Sequence, residues 1–187
     1  MEKPRSYCEY VKNLPEDNIH RVYHDTHYGF KIDSDNELFG RLILEINQAG
    51  LSWTTILNKK DNFRKAFSDF DVRKVANYNE ADISRLLSNS GIIRNKLKIN
   101  AIIFNARKIL ELQIKYDSFK SWLEIINNSK LSLYNCVILF KETFKFTGGE
   151  ITKEFLTSTG YIMGAHIDSC PILKKQNDFN KDHLSLD

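Results

Sequence analysis

Apolar residues recur three and four positions apart along most of the chain, and no period-two alternation of useful length interrupts them. The densest run covers residues 38–53. Ser34-Asp35-Asn36-Glu37 ahead of it has the capping-box form and predicts a helix over 37–48. Leu38, Leu42 and Ala49 share one stripe of that helix, with Phe39, Ile43 and Ile46 beside it. Glu45 falls inside the stripe, where a carboxylate is expensive to bury. Gly50 closes the helix and Ser52 caps the next, so a carboxylate and the indole of Trp53 flank one tight turn.

The second helix runs from Trp53 towards Phe67 on Ile56, Leu57, Phe63 and Phe67. Asp71 caps a short helix through Ala76, and Asn79 caps another, on Ile83, Leu86 and Leu87, which Gly91 stops. A long helix follows over 95–114, burying Ile99, Ile102, Ile103, Ala106, Ile109 and Leu110. Asp117 or Ser118 opens the next, with Phe119, Trp122, Leu123 and Ile126 inward. A helix over 133–144, a turn at Thr147-Gly148-Gly149 and a helix over 150–159 ended by Gly160 complete the regular pattern. The first thirty or so residues read as loop with one short helix after Pro15, and the polar segment 174–187 reads as a mobile tail. The fold class is therefore all-α, with about eight helices.

Composition narrows the setting. The 187 residues carry a formal charge of +3, which permits nucleic acid as a partner without requiring it. Three cysteines suit a reduced interior better than a disulfide framework. No secretory leader or membrane span is legible, so a soluble cytoplasmic protein is expected.

Three constellations could carry chemistry. The Gly148-Gly149 turn between two helices lets a backbone approach a ligand closely, and the N–H groups that follow form an anion site suited to a DNA phosphate. Most such turns are only turns, and Glu150 directly after the glycines opposes a phosphate. Cys8, His24, His166 and Cys170 would make a closed tetrahedral zinc site clamping the two chain ends, structural rather than catalytic. On spacing alone, two unrelated cysteines and two surface histidines are the simpler reading. Glu45 is either a helix carboxylate paired with Arg41 or a buried acid facing an amine-bearing ring. Cys136 reads as core. Lys59, Lys60, Arg64, Lys65, Arg94, Lys96 and Lys98 read as solvated helix charges unless they share the face of the Gly148 turn.

Taken together, Tyr23-His24-Asp25 with Gly29, Glu45 with Gln48-Ala49-Gly50-Leu51-Ser52-Trp53, Gly91-Ile92-Ile93-Arg94, Lys98-Ile99, Phe144-Lys145-Phe146 with Gly148, and His166 with Cys170 resemble the DNA-3-methyladenine glycosylase I family of helix-hairpin-helix glycosylases. The resemblance covers most of the chain from Cys8 to Cys170. It implies a single glycosylase-like domain over 1–173, with a helical lobe at about 35–126 and a second lobe from the N-terminal segment plus about 131–173. It also implies excision of 3-methyladenine from damaged double-stranded DNA without strand cleavage, by a monomer with one structural Zn2+. Glu45 then matches the acid that reads the extruded base, and Trp53 matches the indole that stacks on it. Tyr23 matches a pocket tyrosine, with Tyr10 and Tyr28 at positions where the family carries tryptophan. Gly50 and Leu51 match the turn that enters the gap left by the flipped nucleotide. Gly148 and Gly149 match the phosphate-binding hairpin, and Cys8, His24, His166 and Cys170 match the zinc ligands. Glu150, His27 and Met163-Gly164-Ala165 depart from the family pattern. The competing expectation is a catalytically silent, zinc-stapled relative that binds DNA or a protein.

Overall fold

The computed structural model describes residues 4–182, and every regular element among them is helical. The chain forms two compact units, one from Ile32–Phe155 and one from the described parts of Met1–Lys31 and Leu156–Asp187.

The larger unit is built on α3 (Asp35–Gln48). Leu38, Phe39, Leu42, Ile43 and Ile46 are fully buried, and burial extends without a break through Asn47. A helix enclosed on all sides is held by packing rather than by propensity. Ser34 accepts the Glu37 N–H as its cap, while the Glu37 carboxylate makes a two-pronged pair with Arg64 at 2.8 and 2.6 Å rather than closing the expected capping box. Gly40 lets Phe70 lie against the helix, since a Cβ there would sit 2.3 Å from the ring. That ring arrives from a 3-10 turn, Ser68–Phe70, whose three residues all have positive φ.

Against α3 pack α4 (Trp53–Ala66), α5 (Val72–Ala76), α7 (Lys96–Tyr116) and α8 (Phe119–Asn128), while α6 (Glu80–Ser88) packs on α7 and α9 (Leu133–Thr143) follows α8 in the chain. Most of their starts follow the expected caps. Ser52, Asp71, Asn79 and Ser118 each accept a first-turn N–H, and Asn79 with Asp82 forms a full capping box. The Asp35 carboxylate accepts the Phe119 and Lys120 N–H groups at 2.8 and 2.9 Å, joining the start of α3 to the start of α8. Phe119, Trp122, Phe140, Phe144 and Phe155 interlock as an aromatic core.

The smaller unit holds α1 (Tyr7–Val11), α2 (Ile19–Thr26), α11 (Ile172–Asp182) and the end of α10 (Gly149–Ser158). Here the sequence reading needs correcting. The N-terminal segment contains two helices, not one. The segment expected to be a mobile tail is helical to Asp182, and 183–187 lie outside the described residues. Gln176 and Asn180 each donate to the Gly29 carbonyl at 2.9 Å, and Asn180 accepts the Lys31 N–H. Residues 131–155, assigned above to the second lobe, group with the larger unit. Smaller shifts are that Ala49 is exposed, Leu110 is half-buried, and α6 ends at Asn89 before Gly91 is reached.

Candidate functional site

Four residues converge in the smaller unit. Cys8 from α1, His24 from α2, and His166 and Cys170 from the loop before α11 are all buried, with their ligand atoms within 4.8 Å of one another. Five of the six edges of this figure are 3.3 Å from Cys8 Sγ to His24 Nε2, 3.7 Å from Cys8 Sγ to His166 Nδ1, 3.8 and 3.6 Å from Cys170 Sγ to the two imidazoles, and 3.1 Å between the imidazole nitrogens, and the sixth, between the two sulfurs, lies within 4.8 Å. A tetrahedral ion with Zn–S near 2.3 Å and Zn–N near 2.0 Å implies edges of roughly 3.3 to 3.8 Å. The donor set is one that could hold a metal ion, and four of its edges fall within that range.

The outer contacts complete that fit. His24 donates from Nδ1 to Asp25 at 2.6 Å, which turns its Nε2 lone pair inward. His166 donates from Nε2 to the Tyr28 carbonyl at 2.9 Å, which turns Nδ1 inward. Arg21 in turn donates to Asp25 at 2.7 Å. Burial, reinforced by Cys170, pushes the Cys8 thiol up to about 11. Burial, then the nearby His24, draws His166 below the ordinary histidine value. Two thiols and a neutral imidazole crowded together favour a cation that stabilises thiolates.

The aromatic residues singled out from the sequence divide by exposure. Tyr23 and Tyr28 are buried beside Tyr7, while Tyr10 is 42% exposed and stacks on Tyr7. His20, standing among them, is held by Tyr7 at 3.0 Å.

In the larger unit, Glu45 is 1% exposed near the end of α3, and Trp53 is half-buried at the first position of α4. Between them the chain turns at Gly50, with φ +82, and Leu51 is 40% exposed at the tip. Gln48, Ala49, Gly50 and Leu51 line one open cleft of about 560 Å³ with Gly148, Gly149, Glu150 and Ile151. The structure thus brings Gly50, Leu51, Gly148 and Gly149 to a single cleft. A Cβ built on Gly50, Gly148 or Gly149 meets no atom within 4 Å, so the backbone is open to approach at all three. None of the seven basic residues named above lines this cleft.

Two residues to which the sequence assigned no such role hold these turns. Lys98, expected to be a solvated charge, is 6% exposed and donates to the Asn47 and Ala49 carbonyls at 2.9 and 2.8 Å. Burial lowers its pKa from the ordinary lysine value. Asn105 is fully buried and exchanges two hydrogen bonds with the Lys145 backbone, at 3.0 and 2.8 Å. A signal for Asn105 was present: it interrupts the inward stripe of α7 three residues after Ile102 and four before Ile109. Of the other basic residues, Lys59 donates to the Ser90 and Gly91 carbonyls, and Arg64 belongs to Glu37.

Comparison with known proteins places the chain in a family. A family model described as methyladenine glycosylase matches residues 13–137. DNA-3-methyladenine glycosylase 1 of Escherichia coli is 34% identical over 174 residues, covering 84% of this chain and 92% of that protein. DNA-3-methyladenine glycosylase of Haemophilus influenzae is 31% identical, covering 83% and 93%. A solved Staphylococcus aureus structure, presented as the structural basis of 3-methyladenine recognition by 3-methyladenine DNA glycosylase I, superimposes with a TM-score of 0.76 at 32% identity, covering 84% of this chain and 93% of that one. The family model spans more than half of the chain and the relatives are matched along nearly their whole length, so this chain belongs to the methyladenine glycosylase family.

Proposed function

We propose that this protein is a monofunctional DNA glycosylase that excises 3-methyladenine from alkylated double-stranded DNA by base flipping and hydrolysis of the N-glycosidic bond. The observation that carries the reading is Glu45, a carboxylate buried to 1% exposure just before a turn that ends in Trp53 and shares a cleft with Gly148 and Gly149. A carboxylate at this depth is shielded from water, and its charge would favour a cationic base over a neutral one.

The chemistry follows from the substrate. Methylation at N3 makes adenine cationic and weakens its bond to the sugar, so the departing base needs little protonation. What it needs is removal from the stack, a place to sit, and access for water to the sugar carbon. Trp53 offers a π-face to a cation. Glu45 accepts hydrogen bonds from the amine edge, and its charge favours the methylated base over ordinary adenine. Glu45 serves as base reader and electrostatic partner rather than as a general base. Leu51 supplies an exposed apolar tip to fill the space left by the flipped nucleotide. The N-terminus of α10, preceded by Gly148, offers N–H groups to a phosphate, with Glu150 as an opposing charge. The roles of Tyr10, Tyr23 and Tyr28 rest on the family resemblance alone.

For the four-residue cluster we propose a structural Zn2+, held by Cys8, His24, His166 and Cys170. Its contribution is to join the two chain segments of the smaller unit. No helix among the described residues is long and apolar enough to cross a membrane.

The test is release of free bases from methylated duplex DNA, resolved by chromatography. The expected product is 3-methyladenine, with about one zinc per chain by metal analysis. A protein that holds zinc yet leaves the DNA untouched would transfer the reading to a silent DNA- or protein-binding relative.

A further inference from the structure

Both turns of the cleft are anchored on one helix. Lys98 and Asn105 lie seven residues apart on α7, two helical turns, and therefore on the same face about 10 Å from each other. Lys98 holds the carbonyls of Asn47 and Ala49, within the three residues that precede Gly50. The remaining carbonyl of that stretch, Gln48, accepts the Leu51 N–H at 2.7 Å. The end of α3 is thus closed by an ammonium and one backbone bond. Asn105 holds both the N–H and the carbonyl of Lys145, at the entrance to the turn that leads through Phe146 (φ 60) and Thr147 to Gly148. Thr147 is tied down in turn, donating to the Phe140 carbonyl at 2.8 Å, and its own carbonyl accepts from Thr152 at 3.0 Å. Each anchor reaches its turn through backbone atoms. The spacing of the two turns is therefore insensitive to the side chains they display.

We propose that Lys98 and Asn105 are positioning residues that fix the separation of the Gly50–Leu51 turn from the Gly148–Gly149 turn, and so match the cleft to a duplex held open at one nucleotide. The inference rests on the glycosylase reading given above. Neither residue touches the base. Lys98 acts through the apolar tip, and Asn105 acts through the phosphate grip.

The two roles predict separable defects. Lys98→Met keeps the volume of the side chain and removes the ammonium. It is expected to slow single-turnover excision from methylated duplex by ~10²-fold, the scale of a misplacement of about 1 Å. Excision from methylated single strands and quenching of Trp53 fluorescence by free 3-methyladenine should change by less than about threefold, because neither needs the wedge. In a Leu51→Ala background the Lys98→Met defect should shrink, since both act on one step. Asn105→Asp keeps the acceptor and loses the donor. It is expected to weaken duplex binding by about tenfold at fixed salt, the scale of one lost hydrogen-bonded contact, while quenching of Trp53 by free 3-methyladenine holds. Lys98→Arg, which retains the cation, should recover part of the duplex rate.

Parallel losses on duplex, single strand and free base would overturn the proposal by making both residues merely structural. So would full additivity of Lys98→Met with Leu51→Ala, an unchanged duplex affinity in Asn105→Asp, or failure of both Lys98 variants to fold. If the unaltered protein releases no methylated base from either substrate while Trp53 still responds to the free base, the glycosylase reading has failed first, and this one falls with it.

Discussion

His24 Nδ1 lies 2.6 Å from Asp25 Oδ1, so an imidazole of the four-residue cluster is oriented by the residue next to it in the chain. Arg21, one turn earlier on the same helix, holds that carboxylate at 2.7 Å from the other side. Burial works to raise the Asp25 carboxyl, but hydrogen bonds from His24 and Arg21 outweigh it and hold the group below its ordinary value. Asp25→Asn is expected to lower zinc affinity by about 10- to 100-fold, read by competition with a chromogenic chelator. The sign with pH follows from the lowered carboxyl. Its stabilising contribution is complete above the unfolded value of about 3.9 and is lost as pH falls through the lower folded value. An Asp25→Asn protein should therefore show a shallower loss of stability below about pH 4, measured by denaturant melts across pH.

Replacing Glu45 by Gln removes the charge and keeps the shape. Excision of 3-methyladenine should fall by ~10²-fold while helix content, zinc content and duplex affinity hold. An unchanged excision rate in a single-turnover assay would remove Glu45 from the site.

Glu150 is exposed in the cleft directly after Gly149. Neutralising it as Glu150→Gln should tighten duplex binding several-fold and make that binding more salt-sensitive, because one repulsion at a helix N-terminus is lifted. Fluorescence anisotropy across a salt series measures both effects.

Gly40→Ala places a methyl group in the ring of Phe70, a contact of 2.3 Å before any adjustment. The ring is 2% exposed and has little room to yield. A loss of about 1–3 kcal/mol is expected by chemical denaturation, with the affinity for free 3-methyladenine unaltered.

Truncation after Leu173 removes the donors from Gln176 and Asn180 to the Gly29 carbonyl and strips Phe179 from Phe30. With the Lys31 N–H to Asn180, three hydrogen bonds and one aromatic contact are lost, together about 4 kcal/mol. The shortened chain should lose zinc to a chelator faster than the full one.

What was legible in the sequence was mostly local. Ser52, Asp71, Asn79 and Ser118 start helices where their side chains dictate, because a cap is decided within three residues. The exception shows the limit: Glu37 had the right spacing to close its cap, but Arg64, 27 residues away, holds it in a two-pronged pair. The same limit hid α11. Its polar sequence carries Gln176, Phe179 and Asn180 on one side, and their partners Gly29, Phe30 and Lys31 lie about 150 residues earlier. Lys98 was misread because two carbonyls at the end of another helix can hold a buried ammonium, and no spacing rule announces them. Cys8, His24, His166 and Cys170 could be set side by side as candidates from residue type and spacing, but spacing alone favoured unrelated side chains and only the family resemblance favoured the cluster.

The cluster of Cys8, His24, His166 and Cys170 also sets an order of events during synthesis. The larger unit, Ile32–Phe155, is one uninterrupted piece and can collapse as it leaves the ribosome. Its smaller neighbour is split, and two of its four donors are translated last. Nascent chains stalled before His166 should therefore carry an ordered central body and a waiting N-terminal strap, with metal uptake as the final event of maturation.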